Sequence, residues 1–73
     1  MMIQLTGMEE KLLERENIQF SSEHDMTEEE ALDLLEQVRN AEIMFSQSDD
    51  LTSKKMFYDY QRLADKIHNQ IPD

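Results

Sequence analysis

His24, with Glu23 and Asp25 beside it and Glu28 four positions on, is the densest group of side chains in this chain whose types could do chemistry. Together they offer the nitrogen and oxygen ligands that a divalent cation takes. The same residues stand in a polar stretch immediately ahead of a helix start, where they serve solvation and capping. Ligand identity alone fixes no coordination geometry, so neither a metal nor a cofactor is expected. His68 falls near the end of a helix, where a cation or ring edge suits the helix dipole. Ser46, Ser48 and Ser53 belong to a turn and a cap, with no base placed beside them. Paired carboxylates abound, but glycoside hydrolysis needs a cleft between them that a 73-residue chain scarcely provides. With no cysteine, no phosphate loop and no HExxH or calcium-loop pattern, the chain is expected not to be an enzyme.

Contact chemistry is better represented. Leu32, Ile43, Met44 and Tyr58 fall away from the buried arcs of their helices, as contact anchors do. Glu28, Glu29, Asp33 and Glu36 lie along one side of the same helix as Leu32 and Ile43, where they can steer a basic partner. Six methionines suit both core gaps and adaptable surfaces, and Met8, Met44 and Met56 are expected to be packed.

The elements that carry these residues are helical. One glycine, one proline and an abundance of Glu, Leu, Lys, Gln and Met predict an all-α chain. Thr27 followed by Glu30 makes a capping box, with Met26 and Ala31 at the positions of a hydrophobic staple. A helix is predicted over about 28–45, its buried arc formed by Ala31, Leu34, Leu35, Val38, Ala41 and Phe45 at helical spacing. Leu32 and Ile43 lie beyond one shoulder of that arc. Glu42 points into it and must reach along the rim or find a cation. Residues 46–50 are short and polar, which forces an antiparallel return. The second long helix is predicted over about 51–70, capped by Asp50 or Thr52 and ended by Pro72, with Met56, Phe57, Tyr60, Leu63, Ala64, Ile67 and Ile71 facing inward.

Upstream, Thr6 and Glu9 form a second capping box for a shorter helix over about 7–16, with Leu5, Met8 and Leu12 as its apolar line. Residues 17–25 read as a linker with Ile18 and Phe20 as anchors; the alternative is short extended arms at 2–5 and 18–20. Either segment can cover the Leu32 and Ile43 stripe or stay mobile until something binds. The expected architecture is a single domain over 1–73: a short helix plus linker at 1–26 and a helical hairpin at 27–71. It forms either a small three-helix bundle or a dimer of hairpins.

Charge narrows the function. Seventeen acids against seven bases leave −10, divided as −4 over residues 1–26, −5 over 27–45 and −1 over 46–73. Lys55, Arg62 and Lys66, with Asp59 among them, form a basic strip on the return helix that can complement the acidic rim of its neighbour. Such a balance repels nucleic-acid backbones and anionic lipid, so direct nucleic-acid binding and membrane association are not expected. No run approaches the roughly 20 apolar residues of a membrane span, and residues 1–5 lack a basic leader, which predicts a cytoplasmic protein. The function expected is non-enzymatic: a small acidic regulator, inhibitor or adaptor that binds another protein with a basic surface. Two alternatives stand beside it, a nucleic-acid mimic that blocks a DNA- or RNA-binding protein and a structural module that self-associates as a homodimer.

Overall fold

A computed structural model describes residues 1–72, so the expectation of one domain extends by a single residue, Asp73, outside the described part. The fold is all-helical, with α1 at Gly7–Arg15, α2 at Glu28–Ser46 and α3 at Leu51–Gln70. It is a three-helix arrangement in which backbone approach is close between α2 and α3, while α1 joins through side chains.

The capping residues define the helix starts. Thr27 accepts from the Glu30 amide and Glu30 reaches back to the Thr27 amide, and Thr6 and Glu9 repeat the same exchange at α1. Each box satisfies two of the amides that a helix start leaves unpaired. Met26 and Ala31 are both buried, as the staple requires. At α3 Asp50, rather than Thr52, is the cap: its carboxylate accepts from the Ser53 amide at 3.2 Å.

The end of α1 is equally defined. Asn17 adopts the left-handed conformation, φ 57°, which an asparagine tolerates better than most residues. Its amide donates to Glu14 at 3.1 Å and the Ile18 amide donates to Leu13 at 2.9 Å. These are the two hydrogen bonds of a Schellman motif, and its usual apolar clasp is present because Leu13 and Ile18 are both buried.

The core runs through the whole molecule. From α2 it takes Ala31, Leu34, Leu35, Val38 and Ala41; from α3 it takes Met56, Tyr60, Leu63, Ala64 and Ile67. Ile3, Leu13, Ile18 and Met26 complete it from the N-terminal third. Residues 1–5 lie outside the helices and run from the start of α2 to the end of α3: the Met1 carbonyl accepts from the Met26 amide at 2.7 Å, and the Gln4 amide donates to the Gln70 side chain at 2.6 Å. Phe45 is half-buried and stacks on Tyr60, centroids 5.5 Å apart and 11° from parallel.

Several expectations change. The apolar line expected on α1 is rotated: Met8 is 79 % exposed, and Leu13 is the buried residue. With Leu13 facing the core, Glu9 stands against α3, where its carboxylate meets the Lys66 ammonium at 2.6 Å, and Met8 faces outward. Lys66 therefore pairs with α1 and not with the acidic rim of α2. Met44 is also exposed, so of the three methionines expected to pack only Met56 does. Glu42 does reach along the rim, where its carboxylate stands 3.9 Å from Arg39.

Candidate partner-binding surface

Of the two alternatives for the N-terminal segment, covering the Leu32 and Ile43 stripe is not what the structure shows. Leu32 and Ile43 remain 47 % and 56 % exposed, because Ile3, Leu13 and Ile18 enter the core elsewhere. Spacings of three, four and seven put Glu29, Leu32, Glu36 and Ile43 on one outward arc of α2. Leu32 and Ile43 are nevertheless separate points: eleven residues place them about 16 Å apart along the axis, with exposed Glu36 and Arg39 between.

Met44 and Tyr58 are 49 % and 56 % exposed but face other directions. Met44 lies beside Ile18, Gln37 and Ala41 in a shallow groove along the linker side of α2. Tyr58 projects from α3 with the Phe57 ring edge-on at 5.4 Å. The four expected contact residues thus form no single patch. What unites three of them is position along the hairpin: Ile43 and Met44 occupy the last turn of α2, and Tyr58 lies two turns into α3.

Leu51 belongs to the same end and went unrecognised in the sequence. It is 84 % exposed at the first position of α3. Its signal was legible, since a leucine directly after the Asp50 cap lies off the inward arc of Met56, Tyr60, Leu63 and Ile67. The turn-proximal half of the hairpin therefore displays Ile43, Met44, Leu51 and Tyr58, with Leu51 and Tyr58 on one side of α3 at a spacing of seven.

The opposite end of α2 is acidic. Glu28, Glu29, Asp33 and Glu36 are all exposed, and among the described residues no cation pairs with them; Asp33 accepts only from the Gln37 amide, at 3.1 Å. Glu30 differs. The Thr27 amide first, then His24 at 2.9 Å, hold its carboxyl below the usual value. Asp25 accepts from the Met1 amine at 2.6 Å, which lowers its carboxyl as well. His24 and Asp25 are thereby engaged with different partners, and among the described residues no group of three His, Cys, Asp or Glu side chains is arranged to hold a metal. Likewise, no described helix is long and apolar enough to cross a membrane.

No protein-family model, curated protein or solved structure matches this chain.

Proposed function

We propose that this chain is a non-enzymatic binding protein, a small acidic regulator, inhibitor or adaptor whose partner is another protein with a basic surface. The observation that carries this reading is the polarity of the hairpin: large apolar side chains stand exposed around its turn, and the carboxylates of Glu28, Glu29, Asp33 and Glu36, without a cation partner among the described residues, line the first half of α2. Apolar anchors supply affinity when buried by a partner, while charges at the rim govern encounter rate and orientation. The proposed setting is the cytoplasm.

The nucleic-acid mimic is the second reading, and the carboxylates of Glu28, Glu29, Asp33 and Glu36, free of cations in the described residues, are what favour it. The two readings separate by experiment. Tagged wild type, Ile43→Glu and a Glu29/Asp33/Glu36→Lys variant are used to recover binding partners at low and high salt. Under the first reading Ile43→Glu loses a specific protein that wild type retains at high salt. Loss only in the charge-reversed variant, with release by salt and competition by DNA, supports the mimic. Identical recovery by all three proteins refutes both. Self-association is read separately as solution mass: a monomer near 8.7 kDa is expected, and a concentration-independent dimer would instead assign the turn end to a second copy.

A further inference from the structure

The strongest unassigned feature lies along the linker between α1 and α2. Two grooves flank it and meet at Asn17, Gln19 and Phe20. One, of about 680 Å³, has Met26 and Leu34 in its floor and Glu30 and Asp33 on its rim. That is within the roughly 300–1,000 Å³ of ordinary ligand pockets. The other is bordered by Glu10 and Glu14 of α1. The half-buried Phe20 ring belongs to both.

The lining is predominantly acidic. Four carboxylates border the two grooves against one imidazole, His24, which Glu30 holds at 2.9 Å; Glu10, Glu14 and Asp33 have no cation beside them among the described residues, and neither groove contains a lysine or an arginine. The groove between residues 4–6 and α3 differs, since Arg62 and Lys66 lie in its wall. The linker face is therefore complementary to a cation, with an aromatic ring in the middle and an apolar floor beneath. The Schellman closure at Asn17 and the burial of Ile18 and Met26 fix both ends of the linker, so the grooves are preformed.

We propose that these grooves receive an arginine-bearing segment of the protein partner, with the guanidinium over Phe20 and the acidic rims on either side. Arginine is specified over lysine because a planar, weakly hydrated guanidinium stacks on an aromatic face and still reaches carboxylates in its plane. The inference rests on the protein-binding reading above and adds a location and a chemistry to it.

A titration that needs no partner tests it. Nα-acetyl-arginine methylamide is added to the full chain at about 0.15 M salt, with the lysine and norleucine analogues as controls, and the Phe20 ring and the Asn17 and Gln37 side-chain amides are followed by NMR. The arginine probe is expected to shift these resonances saturably, with weaker response to lysine and none to norleucine. Phe20→Leu and Asp33→Asn should each weaken binding roughly two- to fivefold. Asp65→Asn removes the same charge from an exposed position on α3, outside both grooves, and should leave affinity unchanged. Absence of a saturable shift at Phe20 overturns the proposal, as does an equal loss in Asp65→Asn and Asp33→Asn, which would mean diffuse attraction. Failure of this titration leaves the recovery of a partner standing, and failure of that recovery leaves the titration standing.

Discussion

The hydroxyl of Tyr60 donates to the carbonyl of Leu12 at 2.5 Å, joining α3 to α1 across 48 positions of sequence. Leu12 lies in the last turn of α1, where helix carbonyls have no amide of their own helix to accept from. Tyr60 thus fills a vacancy in α1 while its ring, fully buried, stacks on Phe45 of α2. One side chain ties the three helices together. Tyr60→Phe keeps the ring and leaves the Leu12 carbonyl without a protein donor, so a loss of about 1–2 kcal/mol is expected by denaturant unfolding. Amide exchange should accelerate more in α1 than in α2, a pattern that uniform acceleration would contradict.

Stability should fall at both extremes of pH, for opposite reasons. Burial, with the charge of Glu16 adding to it, pushes the Tyr60 hydroxyl up to about 12. A group whose folded value is raised stabilises the fold below its unfolded value, near 10 for tyrosine, and loses that contribution as pH rises through the folded value. On the acid side, hydrogen bonds from Ser48 and then Ser53 hold the Asp50 carboxyl down at about 2. Burial alone would raise Glu9, yet Lys66 and Thr6 together keep it below its ordinary value. Both carboxylates stabilise the fold above their unfolded values, about 4, and lose that contribution as pH falls toward their folded ones. Thermal unfolding across pH is expected to show a plateau through neutrality, with declines below about 4 and above about 10. Removing the alkaline decline with Tyr60→Phe assigns it; an unchanged decline contradicts the assignment.

Much of the fold was legible because the signals are local. The span of α3 agrees with its inward-facing periodicity, and both capping boxes form from the Thr and Glu pairs that announce them. The N-terminal third was less legible, because what decides it is not local. Met8 looked apolar enough to pack, but the observed rotation of α1 buries Leu13 and places Glu9 against Lys66, 57 positions away, contacts that local spacing does not reveal. The destination of Ile3 likewise depends on the hydrogen bonds of its chain neighbours, Met1 with Met26 just ahead of α2 and Gln4 with Gln70 at the end of α3. Of the candidate surface, helical spacing indicated that Leu32, Ile43 and Tyr58 lie off the buried arcs, and left Met44 between packing and exposure. It could not indicate that Met44 and Tyr58 face away from the Leu32 and Ile43 arc, or that the linker would lie beside α2 and leave acid-bordered grooves.

Asn17 offers a test of how the linker is fixed. Its left-handed conformation is tolerated by asparagine or glycine, whereas a β-branched residue there is strained by roughly 1–2 kcal/mol. Asn17→Val is expected to lose about that much stability and to free Ile18, visible as faster exchange of the Ile18 amide that now donates to Leu13. Asn17→Gly should stay close to wild type. Equal stability of the valine and glycine variants would contradict a conformational role for this position.

The central claim is that the exposed apolar residues around the turn exist for contact with another protein and not for the fold. The measurement that bears on it most directly is a paired one: unfolding stability, and affinity for the recovered partner, of wild type and an Ile43→Ser/Tyr58→Ser variant. Exposed positions tolerate such changes to within about 0.5 kcal/mol each, so stability should be nearly unchanged. Affinity should fall by tenfold or more if these side chains are anchors, since loss of an anchor typically costs about 2 kcal/mol or more. Unchanged affinity would contradict the claim, and a fall in stability to match the fall in affinity would assign these side chains to the fold instead.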